Sequence, residues 1–223
     1  MNNYNKKLTL LWAPWVEKNY SELKETIKHD VSQYLSDLRQ NHPNQDFYGF
    51  SLLTYNGFPS IYPVLNTVEQ LKKHTVGAHE KYDQYCPDEW VCWEKNSPFD
   101  KANKYIATLH TEFDAINEQY ENLEFETVNS LDDEIATYWE KNVERIFETA
   151  VDALAELQSE GHFSWIKNEP SALLMIWFPD ASTWELNMSR ESVKRLNTES
   201  TYKEFCEVFE LNENEVPLGK KVT

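Results

Sequence analysis

The chain has 223 residues, and its 38 acidic against 21 basic side chains give a formal net charge of −17. Hydrophobic residues make up 40% of it and aromatic residues 14%, which separates it from disordered acidic tails, because those are poor in aromatics. The charge argues against nucleic acid and anionic membranes as ligands, since both attract lysine and arginine. It favours a basic protein partner, or a surface that is simply well solvated.

The cysteine count and the N-terminus indicate a cellular compartment. Three cysteines, Cys86, Cys92 and Cys206, are a small and odd number, which is typical of reducing surroundings. The apolar run at residues 8–16 is short and contains two tryptophans and a proline. We interpret residues 1–17 as an arm packed on the domain and not as a signal peptide. No stretch is long enough to cross a membrane, so we expect a cytoplasmic protein.

The first third of the chain predicts a helix followed by a hairpin. Apolar residues three or four apart predict a helix over residues 19–40. Two runs of aromatic and other strand-favouring residues follow, at 47–55 and 58–64, and Asn56-Gly57 between them predicts a tight hairpin in which both turn residues take positive φ. Two prolines in the second run place that strand at a sheet edge.

The middle of the chain alternates short elements with one long helix. Thr67 is a good N-cap for a helix over 68–73, with Gln70 as its capping-box partner. Residues 74–89 are interpreted as a loop and residues 89–94 as a short strand. Ser97-Pro98 then opens a long helix, with proline at the first helical position.

The last part predicts a second long helix, a strand and two short helices. Ser130 caps the long helix and Gly161 ends it in the left-handed conformation. The apolar run at 172–178 predicts a strand buried on both faces. Short helices follow at about 191–196 and 202–211, the second one capped by Thr201 and Glu204. Residues 1–223 therefore form one α+β domain, a small and mostly antiparallel sheet packed by several long helices.

The second long helix carries a row of carboxylates, which we name the acidic row: Glu140, Glu144, Glu148, Asp152, Glu156 and Glu160. Like charges at this spacing disfavour a helix, so tertiary packing must stabilise it, and the row is the candidate partner-binding surface. Lys141 and Arg145 can pair with its first half, but its second half has no nearby base in sequence before Lys167. Because cations suit a helix C-terminus, reversing the last three acids to lysine is expected to stabilise the fold slightly. A merely solvated face is the alternative.

Motifs for catalysis, metals and nucleotides are absent from the sequence. The five glycines form no phosphate-binding loop, and no nucleophile elbow is present. The spacing of His74, His79, Cys86 and Cys92 matches no zinc pattern, so we expect neither a metal nor a cofactor. Two alternatives to a binding protein stay open: an enzyme with its site in segment 85–94, using Glu89 or Cys92, and an adaptor protein using exposed aromatics.

Three segments resemble a bacterial family known as domain of unknown function 4303. They run from Phe47 to Tyr55, from Tyr85 to Trp90 and from Ser192 to Asn197. The resemblance covers nearly the whole chain but brings no established catalytic residues. It implies a small acidic α+β protein of the kind that occurs among immunity proteins of bacterial toxin systems. The leading hypothesis is therefore an acidic cytoplasmic protein-binding module, an immunity protein that neutralises a basic toxin domain.

Overall fold

The computed structural model describes Trp15 and residues 18–74, 80–90, 99–121, 132–166 and 173–211. In chain order the elements are α1 (Ser21–Asn41), β1 (Phe47–Leu53), β2 (Tyr62–Thr67), α2 (Val68–His74), α3 (Glu80–Tyr85), a 3₁₀ helix (Pro87–Glu89), α4 (Asp100–Glu121), α5 (Asp132–Ser159), β3 (Leu173–Trp177), α6 (Thr183–Leu196) and α7 (Glu199–Val208). The predicted α+β class is confirmed.

The three described strands form one mixed sheet in the order β2-β1-β3. β1 pairs with β2 antiparallel and with β3 parallel, so the expectation of a mostly antiparallel sheet is wrong in this detail. The parallel pair arises because β3 returns to the sheet after the long helices α4 and α5, as a crossover requires. The predicted edge position of the proline-containing strand β2 is confirmed, since Pro63 withholds a donor that an edge strand does not need.

Helices cover both faces of this sheet. One face presents Phe50 and Ile176 to a large apolar core built with α1, α4 and α5. The other face presents Tyr48 and Met175 to a second core, to which α2, α3, α6 and α7 contribute. Every residue of β3 is buried, as predicted for a strand covered on both faces. Buried and exposed residues therefore do not alternate along β3, as they do in a strand with one face in solvent.

The hairpin connection differs from the prediction of a tight two-residue turn. β1 ends at Leu53 and β2 begins only at Tyr62. The Phe58 N–H donates to the Tyr55 carbonyl at 2.9 Å, which closes a four-residue turn in which Gly57 has φ +80°. Of the two predicted turn residues only Gly57 takes positive φ, and the next positive value belongs to Phe58, at +56°.

The segment after β2 begins as predicted and then departs from the prediction. The Gln70 N–H donates to the Thr67 hydroxyl at 3.1 Å, which confirms the N-cap of α2. Helix α3 and the 3₁₀ helix occupy much of the region interpreted as a loop. The strand predicted over 89–94 is contradicted at its start, where Glu89 ends the 3₁₀ helix, and residues 91–98 lie outside the described residues.

The long helices match their predicted positions. Ala102, Ile106, Leu109 and Phe113 lie buried on one face of α4, and α5 ends in a Schellman motif. There Gly161, at φ +83°, donates its N–H to Gln158, and the His162 N–H reaches back to the Leu157 carbonyl. Ser97, Pro98 and Ser130 lie outside the described residues. Of the predicted arm at 1–17 only Trp15 is described, and it packs on Phe113 with ring centroids 5.4 Å apart.

The two C-terminal helices start earlier than predicted. α6 begins at Thr183, where Ser182 and Glu185 form a reciprocal capping box. α7 begins at Glu199, and its N-cap is Thr198, whose hydroxyl accepts the N–H of Thr201. The predicted cap, Thr201, therefore lies in the first turn of the helix. Thr198 and Thr201 are both possible N-caps, and the helix begins at the upstream one.

Side chains of α6 and its C-cap close the outer edge of β3. Asn197 accepts the Leu174 N–H at 2.9 Å through Oδ1 and donates to the Leu174 carbonyl at 2.7 Å through Nδ2. The Ser192 hydroxyl accepts the Ile176 N–H at 2.9 Å. The run from Ser192 to Asn197, one of the three resembling segments, therefore completes the edge of the sheet.

Candidate functional site

Most of the acidic row is paired within the molecule. Arg195 of α6 contacts both Glu148 and Asp152. Lys24 and Lys28 of α1 lie 2.5 and 2.9 Å from Glu156, and Lys28 also lies 2.7 Å from Glu160. The bases that sequence proximity could not supply come from other helices. Arg145, expected to pair with the row, instead donates to the backbone of the N-terminal segment and lies over the Tyr20 ring.

The row is consequently a seam that joins α5 to α1 and α6. Hydrogen bonds from the two lysines hold the pKa of Glu156 below its ordinary range. Partial burial raises the pKa of Glu144, and Glu140 is exposed. The acids of the four ion-paired positions remain 40–53% exposed, so the surface is accessible, but much of its charge is already compensated. Reversing Asp152, Glu156 and Glu160 is now expected to lower stability, because each would face a like charge.

A second acidic surface lies where α3, the 3₁₀ helix and α7 meet, and we name it the acidic–aromatic patch. It consists of Tyr82, Asp88, Glu89, Glu207, Phe209 and Glu210. Tyr82 packs on Phe209 with ring centroids 5.7 Å apart, and Phe209 in turn packs on Trp177 at 5.3 Å. Asp88 accepts the Trp177 indole N–H at 3.1 Å. Both sides of the patch are thereby tied to the sheet.

The carboxylates of the patch differ from those of the acidic row in having no ion pair with any described residue. Asp88, Glu89, Glu207 and Glu210 are all exposed. Tyr82 is 43% exposed, and among the described residues only Tyr55 and Tyr62 are comparably exposed large side chains of this class. A hydrogen bond with Cys86 raises the pKa of Tyr82 to about 12, and the charges of Asp88 and Glu89 add to the shift. The phenol therefore stays neutral beside its acidic neighbours.

The segment proposed as the alternative enzyme site has a structural role where it is described. Trp90 lies against β1, and a Cβ placed on Gly49 would come within 2.6 Å of its ring. The indole N–H donates to the Asp83 carbonyl at 3.2 Å, and the ring packs edge-on against Tyr48. Two of the resembling segments therefore interlock. Only glycine at position 49 leaves room for the Trp90 ring at this distance.

Of the two reactive groups named for that alternative, Glu89 is described and Cys92 is not; Cys86 is the described thiol of the same segment. Cys86 is buried, and burial raises the pKa of its thiol, which opposes the thiolate that a nucleophile needs. Glu89 is exposed on the 3₁₀ helix, and Cys92 and His79 lie outside the described residues. Within the described part of the chain, no three His, Cys, Asp or Glu side chains are grouped as metal ligands. None of the described helices has the length and apolarity to cross a membrane.

The acidic–aromatic patch escaped the sequence reasoning because residues 74–89 were interpreted as a loop. Tyr82 and Tyr85, three residues apart, were the available signal for one face of a short helix. Tyr85 indeed points to the core and donates its hydroxyl to Glu204 at 3.0 Å. The approach of α7, however, is a tertiary contact that no local pattern in the sequence indicates.

The described part of the chain is an α+β fold with a helix-covered three-stranded sheet and an acidic surface around exposed Tyr82 and partly buried Phe209. This chain belongs to the family described as domain of unknown function (DUF4303), whose model matches residues 23–198. The matched range contains all three segments that carry the resemblance, which confirms it. Comparison with curated proteins and with solved structures finds no match.

Proposed function

We propose that this protein is an acidic cytoplasmic protein-binding module that docks a basic partner on the acidic–aromatic patch. The observation that supports the proposal is that the four patch carboxylates around exposed Tyr82 form no ion pair within the described part of the chain. Arginine and lysine side chains of a partner can satisfy such carboxylates and lie on an aromatic face as well. The acidic row contributes longer-range attraction, which mainly accelerates association.

The energetic roles of the two surfaces differ. An anchor of two packed aromatics within a polar rim is the arrangement that concentrates binding energy in protein interfaces. A carboxylate of the row must share or give up its lysine or arginine when it binds a cation of the partner, so its net gain is smaller than that of a patch carboxylate. A partner therefore gains more at the patch than along the row. Within this class, an immunity protein that blocks a basic toxin domain fits both the charge and the implication of the resemblance.

The test begins with capture of partners from the native cell by the tagged full chain, followed by kinetics with the purified candidate. The patch variant carries Tyr82→Ser, Glu207→Lys and Glu210→Lys. A matched control, Glu25→Lys with Asp114→Lys, makes the same change in net charge at exposed positions of α1 and α4. Circular dichroism melting first establishes that both variants are folded.

We expect a basic partner whose affinity falls at least tenfold for the patch variant and less than threefold for the control. Its association rate should also fall as salt rises, because salt screens exposed charges over a Debye length of about 8 Å at physiological strength. If the partner is a toxin domain, co-expression of the wild type restores growth and the patch variant does not. An acidic partner, or equal losses for the patch variant and the control, would overturn the proposal. A loss confined to the Asp152, Glu156 and Glu160 reversal would move the site to the acidic row.

A further inference from the structure

A cavity of about 620 Å³ lies between α1 and the turn that follows α5. Ser32, Ser36 and Arg39 line it from one side, and His162 and Trp165 line it from the other. Its volume falls within the range of small-molecule sites, roughly 300–1,000 Å³. It lies apart from the acidic–aromatic patch, and neither the family nor the proposed function accounts for it.

Local structure holds both walls of this cavity in place. Residues 32, 36 and 39 recur at helical spacing and so lie on one face of α1. Opposite, the Schellman turn at Gly161 reverses the chain and brings His162 Nδ1 to 3.2 Å from the Ser32 hydroxyl. The Trp165 indole N–H donates to the His162 carbonyl at 2.9 Å. The ring of Trp165 also packs edge-on against Phe47 of the core, with centroids 5.5 Å apart.

Of the two charged side chains that line the cavity, Glu160 forms ion pairs within the molecule and Arg39 forms none with a described residue. Glu160 is engaged by Lys28 at 2.7 Å and lies 3.6 Å from His162 Nε2. Arg39 has no ion-pair partner among the described residues, although the chain carries nearly two acids for each base. The cation available to a bound molecule is therefore an arginine, whose planar fork matches a carboxylate or a phosphate in two parallel hydrogen bonds.

We propose that this cavity binds a small organic anion, a carboxylate or a phosphomonoester. Arg39 holds the anionic group, and the Ser32–His162 pair offers hydrogen bonds to polar groups at the far end. Ser32 and Arg39 are seven residues apart on one helix, or about 10 Å, so the site suits a molecule of that length. The neighbouring carbonyls of α5 at Leu157 and Gln158 are already paired in the Schellman motif and do not repel it.

The order Ser32, His162, Glu160 resembles a hydrolytic triad, but its surroundings favour binding. Ser32 lies in the interior of α1, so its N–H belongs to the helix and is not available to an oxyanion, as that of a catalytic serine commonly is. Glu160, which would orient the imidazole, is bound by Lys28. The serine and histidine are therefore assigned as ligand-contacting residues.

Isothermal titration calorimetry of the full chain tests this site with three probes at matched ionic strength: inorganic phosphate, citrate and adenosine 5′-monophosphate. We expect at least one organic probe to bind saturably, with one site per chain. Hydrogen bonds to charged groups are the strong ones, so Arg39→Gln should weaken binding at least tenfold and His162→Gln three- to tenfold. Lys104→Gln, which removes the same charge from an exposed position of α4, should leave affinity within twofold.

The preferred probe identifies the class of anion that the cavity binds. Preference for citrate assigns the site to carboxylates, and preference for the nucleotide assigns it to phosphomonoesters. Equal weakening by Arg39→Gln and Lys104→Gln would show non-specific attraction and overturn the site. Absence of saturable binding by all three probes would also overturn it, leaving Arg39 as a cation that complements the C-terminal dipole of α1. Neither outcome bears on the proposed protein partner, because no patch residue lines the cavity.

Discussion

The substitution Gly49→Ala tests whether two segments of the family interlock through one close contact. An added Cβ would lie 2.6 Å from Trp90 Cη2 and 3.0 and 3.1 Å from two further ring atoms, whereas ordinary contact begins at 3.4 Å. The indole must therefore withdraw by about 0.8 Å, but it is 6% exposed and is held by its bond to Asp83 and by the Tyr48 ring. Overpacking of this kind costs about 1–3 kcal/mol, and the double restraint places the expected loss near 2–3 kcal/mol.

Urea unfolding monitored by circular dichroism measures this loss, and a double-mutant cycle locates it. Trp90→Phe removes the outer ring atoms that the new methyl group meets, so in that background Gly49→Ala should cost less than about 1 kcal/mol, a coupling of at least about 1 kcal/mol. Gly161→Ala is the control, because nothing lies within 4 Å of its added Cβ. Gly161→Ala is destabilising only because alanine disfavours the φ of +83° that Gly161 adopts. Its loss of unfolding free energy should therefore be the same with Trp90 and with Phe at position 90. An equal cost of Gly49→Ala in both backgrounds would refute the reasoning.

Three further outcomes are expected. Asn197→Ala should lower the free energy of unfolding by about 2–4 kcal/mol in urea titrations, because it leaves two buried backbone groups of Leu174 unpaired; a loss below about 1 kcal/mol would contradict this. Cys86 and Cys206, both buried, should resist iodoacetamide in the folded protein at pH 8 and react in urea, as peptide mapping by mass spectrometry would show. The stabilisation from Glu156, whose pKa is lowered by its lysine partners, is present above its unfolded pKa of about 4.3 and is lost as pH falls through the lower folded pKa. The difference in Tm between wild type and Glu156→Gln should therefore shrink between about pH 5 and pH 3, and a constant difference would contradict the pairing.

Local patterns were enough to predict the long elements of this fold. The apolar spacing of α1, α4 and α5 is strong because each helix buries one continuous face over many turns. Caps within one turn, such as Thr67 and Gly161, were also predictable, because a side chain or a left-handed glycine completes them locally. The predictions that failed concern shorter elements: α3 and the 3₁₀ helix lie in a predicted loop, α6 begins at Thr183 and not near residue 191, and α7 is capped by Thr198 and not by Thr201.

The charge pattern shows why a site is harder to predict than a helix. From sequence, the last three acids of the row have no base nearby, and yet Lys24, Lys28 and Arg195 reach them from helices that are distant along the chain. Compensation of charge is a property of the assembled surface. The acidic–aromatic patch was missed for the same reason, since α3 and α7 come together only in the fold.

The closure of the β3 edge by Ser192 and Asn197 has a consequence for how this molecule can associate. A β-strand edge normally offers a row of backbone donors and acceptors on which a foreign strand can grow. At β3 the outward backbone groups of Leu174 and the outward N–H of Ile176 are already taken, and at the opposite edge Pro63 interrupts the donors of β2. In the described sheet, neither edge readily accepts a fourth strand from a partner or from a second copy, which hinders β-augmentation and fibril growth there. Among the described residues, side chains on the helices are therefore better placed for recognition than the backbone of the sheet edges.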